Sequence, residues 1–81
     1  METHIIKRDG KSEIFSIDKI KNAINKAFIA SGTFATEETM AAIISRLRIH
    51  DGISVEEIQN QVEVALMAEG YYQVAKNYMI Y

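Results

Sequence analysis

Apolar residues recur at helical spacing in four successive segments of this chain of 81 residues, and that rhythm restricts it to a small, mainly α fold. The first segment places Ile17, Ile20, Ile24, Ala27 and Phe28 on one face, with Ser16 as its N-cap and Gly32 as its stop. The second follows Thr36, carries Glu37 and Glu38 in its first turn, and repeats Met40, Ile43, Ile44 and Leu47 until His50-Asp51-Gly52. The third opens on the capping box Ser54-Val55-Glu56-Glu57 and turns Ile58, Val62, Ala65 and Leu66 inward until Gly70. The fourth runs from about Tyr71 to the end, with Val74, Ala75, Tyr78 and Tyr81 as its stripe. The chain has no proline to interrupt these helices. Short loops between amphipathic helices predict antiparallel neighbours in a four-helix bundle, and the length allows one domain, residues 1–81.

Ahead of the helices stands a β-hairpin. Asp9-Gly10 reads as a two-residue type I′ turn, which needs positive φ at both central positions and would pair Lys7 with Ser12 and Ile5 with Ile14. The hairpin would cap one end of the bundle. Charge is concentrated at that same end: residues 1–26 hold six bases against four acids, whereas residues 27–81 hold three bases against seven acids. The six are Lys7, Arg8, Lys11, Lys19, Lys21 and Lys26, and they point to an anion held near the hairpin of an otherwise acidic chain.

Several chemistries are excluded or disfavoured. Without cysteine there is no disulfide framework, thiolate metal site or thiol nucleophile. His4 and His50 lack a ligand partner at helical spacing and read as surface residues, so no metal site is expected from protein side chains. Gly10-Lys11-Ser12 imitates the tail of a P-loop, but Ile5 stands where its first glycine belongs and a strand follows where a helix is required. No apolar run is long enough for a signal peptide or a membrane span, so a soluble cytoplasmic protein is expected. A net charge of −2 disfavours nucleic acid as a partner. Tyr71, Tyr72, Tyr78 and Tyr81 could stack on bases, yet only Lys76 lies near them in sequence, and core packing is the better reading. Ile53, Met67 and Met79 would serve an oligomer contact if left exposed.

The anion itself has a natural seat. The N–H groups behind Ser16 present the positive end of a helix where the strand carrying Glu13 and Phe15 hands over to it, with Lys19 in the first turn and Lys7 and Arg8 on the facing strand end. Asn22 and Lys26 continue the face of Lys19. Spacing alone favours a plainer reading, a solvated helix face beside a solvated hairpin.

Four stretches shift that balance: Ile5-Ile6-Lys7-Arg8-Asp9-Gly10, then Glu13-Ile14-Phe15-Ser16-Ile17-Asp18-Lys19-Ile20, then Ser54 to Glu63, then Val74-Ala75-Lys76-Asn77-Tyr78. In this order they resemble the ATP-cone, the N-terminal regulatory domain of many ribonucleotide reductase catalytic subunits. The resemblance implies a four-helix bundle covered by a sheet of about three strands, the third near Gly52 to Ser54. It implies a bound ATP or dATP, with Mg2+, acting as allosteric effector. It assigns the phosphates to Lys7, Arg8 and Lys19, and the lining of the nucleotide to the segment Glu13, Ile14, Phe15, Ser16, Ile17, Asp18 and Lys19. Glu13 and Ser16 fall at the adenine edge, where some relatives carry Asn in place of Ser16. Val55 and Gln59 fall near base and sugar, where some relatives carry Thr and His.

The function so implied is control of a ribonucleoside-diphosphate or -triphosphate reductase through its oligomeric state, by a domain that is not itself catalytic and belongs to a larger chain. Its partners would be adenine nucleotides, the rest of the reductase and the radical-generating subunit. Two other readings belong to different classes: the cone of a nucleotide-sensing repressor of reductase genes, which would carry a zinc ribbon, and a helical interaction module without ligand.

Overall fold

Residues 2–78 are described by the computed structural model. The chain order is β1 (His4–Ile6), β2 (Ser12–Ile14), α1 (Ile17–Ala30), α2 (Glu37–Ser45), β3 (Ile53–Ser54), α3 (Val55–Ala68) and α4 (Tyr72–Asn77). The fold is mainly α, with a three-stranded sheet in the order β2-β1-β3. β1 pairs antiparallel with β2 and parallel with β3. The third strand anticipated near Gly52 to Ser54 is therefore present, and it joins the sheet on the far side of β1 from the hairpin partner.

The hairpin differs from expectation by one residue. His4 faces Ile14, Ile5 faces Glu13 and Ile6 faces Ser12. The Gly10 amide donates to the Lys7 carbonyl at 2.9 Å, and the Lys7 amide donates to the Lys11 carbonyl at 2.8 Å. Arg8-Asp9-Gly10 is thus a three-residue loop in which Gly10 alone takes positive φ, +86°, and Asp9 does not. Asp9 instead folds its Oδ1 back to accept from the Lys11 amide at 3.0 Å. This is the type I turn closed by a left-handed glycine that three-residue hairpins favour. Because side chains alternate along a strand, the one-residue shift exchanges the faces of β2. Glu13 joins Ile5 on the inner face, and Ile14 stands 55% exposed beside His4 on the outer one.

The helix starts follow the sequence closely. Thr36 Oγ1 accepts from the Thr39 amide and Ser54 Oγ accepts from the Glu57 amide, each at 3.1 Å. Each cap satisfies an amide that the helix leaves unpaired. α2 stops at Ser45, earlier than its apolar repeat implied, although Leu47 is still buried beyond it. α4 is also shorter than expected. It ends at Asn77, and Tyr78 is extended with a buried side chain. Met79 and Tyr81, assigned above to an oligomer contact and to the last stripe, lie outside the described residues.

One core joins all of this. Phe28, Ile20 and Ile24 of α1, Ile43 of α2, Ile53 of β3 and Ile58, Val62 and Leu66 of α3 are essentially fully buried. α3 packs against α2 and α4, and α1 against α4. Phe28 meets Tyr71 edge to face with ring centroids 5.0 Å apart, so Tyr71 packs, partly buried, against the core and Tyr78 lies within it, whereas Tyr72 is exposed and does not join the core packing expected of it. Ile53 is buried against Ile5 and cannot serve an oligomer contact, whereas Met67 is 42% exposed. The sheet hands into the two helices at opposite ends: Ser54, the last residue of β3, caps α3 beside the loop end of β1, and Ser16 stands at the N-cap of α1 two residues after β2, beyond the pairing of Ile14 with His4.

Candidate functional site

Two segments converge where the hairpin loop meets α3. Lys7 just before the loop, Arg8 and Asp9 within it, and Val55 at the start of α3 line a hollow of about 190 Å³. The geometry follows from the sheet: β3 runs parallel beside β1 and hands directly into α3, so the first turn of α3 must begin next to the end of β1. Val55 is buried and closes the floor. Arg8 extends across the rim to Glu56, Nε to Oε1 at 3.6 Å, in an exposed ion pair.

A second cluster lies where β2 hands over to α1, at the end of the sheet away from the hairpin loop. Its residues do not line the hollow, which adjoins the start of α3 and not, as the sequence reading expected, that of α1. Glu13 and Lys19 are joined by a 3.2 Å contact between Oε1 and Nζ, with the carboxylate the more buried partner. The register explains the pair, since it turns Glu13 to the inner face, toward the first turn of α1. Ser16 adopts the extended N-cap conformation, but its hydroxyl makes no cap hydrogen bond, so that oxygen is not spent on the helix. Phe15 continues the hairpin through its amide to the Thr3 carbonyl at 2.8 Å, and both Phe15 and Ile17 pack against the core. Asp18 is exposed in the first turn. The hollow sets two cations, Lys7 and Arg8, beside the start of α3 over an apolar floor, a combination suited to a phosphorylated ligand.

Gln59 is one turn along α3 from Val55. Its Nε2 donates to the Tyr78 carbonyl at 2.9 Å and to Glu63 Oε1 at 3.1 Å, which ties α3 to the chain beyond α4. The sequence placed Gln59 near the ligand but carried no sign of this bridge, because a contact to a backbone carbonyl leaves no mark on residue pattern.

The end of the sheet away from the hairpin loop is held by a clamp that sequence reading missed. The His4 amide donates to Asp51 Oδ1 at 2.8 Å, and the Gly52 amide donates to the His4 carbonyl at 2.8 Å. The His4 amide, more than the nearby imidazoles, holds the Asp51 carboxyl below its ordinary pKa. His50 Nε2 lies 3.4 Å from Glu57 Oε2 in the first turn of α3. Both histidines therefore brace the turn that delivers β3. Among the described residues, no cluster of His, Asp and Glu is placed to hold a metal ion, and no helix is long and apolar enough to cross a membrane.

Comparison with known proteins adds to this geometry. The family model for the ATP cone domain matches residues 3–81. The chain is 40% identical over 90 residues to the ribonucleoside-diphosphate reductase subunit alpha of Chlamydia pneumoniae, a match covering 95% of this chain and 9% of that protein. It is 34% identical over 84 residues to the anaerobic ribonucleoside-triphosphate reductase of Salmonella typhimurium, covering 100% of this chain and 12% of the other. To the vitamin B12-dependent ribonucleoside-diphosphate reductase of Thermoplasma acidophilum it is 37% identical over 89 residues, with the same 100% and 12% coverage. The chain spans about a tenth of the length of the curated relatives it matches.

Proposed function

The chain belongs to the ATP-cone family, and from that premise we propose that it is a regulatory domain of a ribonucleotide reductase that binds ATP and dATP at one pocket. The observation that carries the proposal is the convergence of Lys7, Arg8 and Val55 on one hollow at the start of α3. In this reading the four helices make up the family's bundle, and the sheet positions its cations. Lys7, Arg8 and Lys19 take the triphosphate, while Glu13 and Ser16 face the adenine edge. Ile14, Phe15, Ile17 and Asp18 shape the segment around the nucleotide, Ile14 through its backbone because its side chain is on the outer face of the hairpin. Mg2+ arrives with the triphosphate rather than in a site built from side chains.

ATP and dATP differ by one ribose hydroxyl, so they can act oppositely only if that hydroxyl changes the relative stability of two arrangements of the protein. A coupling of about 1–3 kcal/mol is enough for such a switch. Val55 and Gln59 approach the sugar in this assignment, and the Gln59 bridge to the Tyr78 carbonyl supplies a route from the pocket to the end of α4. The larger protein would read that difference as a change in oligomeric state, in contact with its radical-generating subunit. The domain itself holds nucleotide without hydrolysing it, since in-line attack on a γ-phosphate calls for a positioned water and phosphate cradle that a hairpin loop does not supply.

The test is nucleotide reduction by the full-length reductase and by a form lacking residues 1–81, across a dATP series with the substrate-specificity effector held constant. The expected result is loss of dATP inhibition with basal reduction retained. Persisting inhibition after the deletion would place the activity switch elsewhere in the reductase.

A further inference from the structure

The rim of the hollow contains a carboxylate in an unexpected place for a polyanion site. Glu56 lies in the first turn of α3, adjacent to Val55, and its Oε1 is 3.6 Å from Arg8 Nε. Both side chains are more than half exposed, so the pair is easily exchanged. We propose that Glu56 is an internal competitor for Arg8, a specificity-determining residue that pairs with the guanidinium until a phosphate displaces it and so sets how strongly affinity rises with the number of phosphates. The inference rests on the reading of this hollow as the nucleotide site.

Two effects of Glu56 oppose each other. By holding Arg8 against α3 it pre-organises the guanidinium, which favours binding, and by its charge it repels phosphate and must be displaced, which disfavours it. Charge decides between them. An exposed pair restrains a long side chain only weakly, whereas a polyphosphate brings several negative charges to the rim and offers Arg8 the paired oxygens its guanidinium prefers. The competition therefore dominates, and it dominates most for the ligand with the most phosphates. Glu57, the next carboxylate, does not take the same part, because its Oε2 is turned to His50.

Glu56 also sits at a helix start, where a carboxylate favours the helix, so its removal should lower stability slightly. Stability and affinity are thus expected to move in opposite directions, which loss of a merely structural residue does not produce. The experiment titrates the 81-residue chain and its Glu56→Gln, Arg8→Ala and doubly substituted forms with ATP, ADP and adenosine, at low salt, with and without Mg2+. Glu56→Gln is expected to tighten ATP binding by about threefold, the scale of an exposed ion pair. ADP should gain less and adenosine nothing, with an unchanged or slightly lower melting temperature. In the Arg8→Ala background most of the gain should disappear, leaving only the direct repulsion between carboxylate and phosphate. Unchanged or weaker ATP binding by Glu56→Gln, an equal gain for adenosine, or a gain undiminished by Arg8→Ala would each overturn the inference while the nucleotide site stands. Weakening seen only with Mg2+ would do the same, by making Glu56 a metal contact. If the unaltered chain binds none of the three, the proposed function falls, and this inference with it.

Discussion

Lys7→Ala is expected to weaken binding of ATP and of dATP by about tenfold or more while leaving the melting temperature of the unliganded domain nearly unchanged. A hydrogen bond to a charged group contributes about 1.5–3 kcal/mol, and the lower end of that range corresponds to roughly a tenfold change in affinity. Lys7 lies at the loop end of β1, lines the hollow and is only partly buried, so its truncation removes charge without opening the core. Lys19→Ala should weaken both nucleotides as well, and it also dissolves the 3.2 Å contact that holds Glu13. That second loss matters for the base. The Lys19 variant is therefore expected to lose adenine selectivity along with affinity, whereas the Lys7 variant loses affinity alone. Calorimetric titration of both variants, with thermal melting of each unliganded form, separates the two outcomes. Unaltered affinity in both would move the phosphate site away from the hairpin.

The largest effect on stability is expected at Phe28→Ala. Phe28 is 1% exposed, sits where α1 meets the start of α4, and supplies the edge-to-face partner of Tyr71. Deleting a buried phenyl ring costs about 3–5 kcal/mol, through lost burial and the cavity left behind. A domain of this size has a total stability of about 4–12 kcal/mol, so the variant forfeits a large share of it. The midpoint of thermal unfolding, followed by circular dichroism, is expected to fall by about 15 °C or more. The Tyr71 hydroxyl, 3.5 Å from Thr39 Oγ1, should loosen with it, because that contact links α2 to the start of α4. A fall of only a few degrees would show that the helices are not held by a shared core at this point.

Much of this arrangement was legible in residue pattern, for a physical reason. The faces of α1 and α3 are wide and repeat over several turns, so Ile20, Ile24 and Phe28, or Ile58, Val62 and Leu66, identify both the helix and its buried side. Short features were less legible. Leu47 stands four residues after Ile43 and is buried, yet α2 has already ended, because a residue can reach the core from a turn as well as from a helix. β3 is two residues long, too short to display any alternation, and it was anticipated only through the resemblance to the ATP-cone.

The hairpin shows the same limit at the site itself. An Asp-Gly pair serves a two-residue turn and equally the end of a three-residue loop, and the choice between them is made by pairing along the whole strand. That choice turned Glu13 inward and Ile14 outward. The basic residues were legible as a charge excess near one end, but their partners were not. Arg8 meets Glu56 and His4 meets Asp51 only because β1 and β3 lie side by side, and residues so far apart in sequence are brought together by topology alone.

The central claim is a triphosphate pocket that reads adenine, and one titration addresses it most directly. With Glu13 at the base, its carboxylate accepts from the exocyclic amine of adenine, whereas guanine presents a carbonyl oxygen at that position, and an acceptor facing an acceptor is rejected. The measurement is isothermal calorimetry of the 81-residue chain with ATP, dATP and GTP under identical salt and Mg2+. Saturable binding of ATP and dATP, with GTP weaker by about tenfold or more, is the predicted result. Equal affinity for GTP and ATP would contradict the assignment of Glu13 and reduce the site to a clamp for phosphates, and no binding of any of the three would contradict the account as a whole.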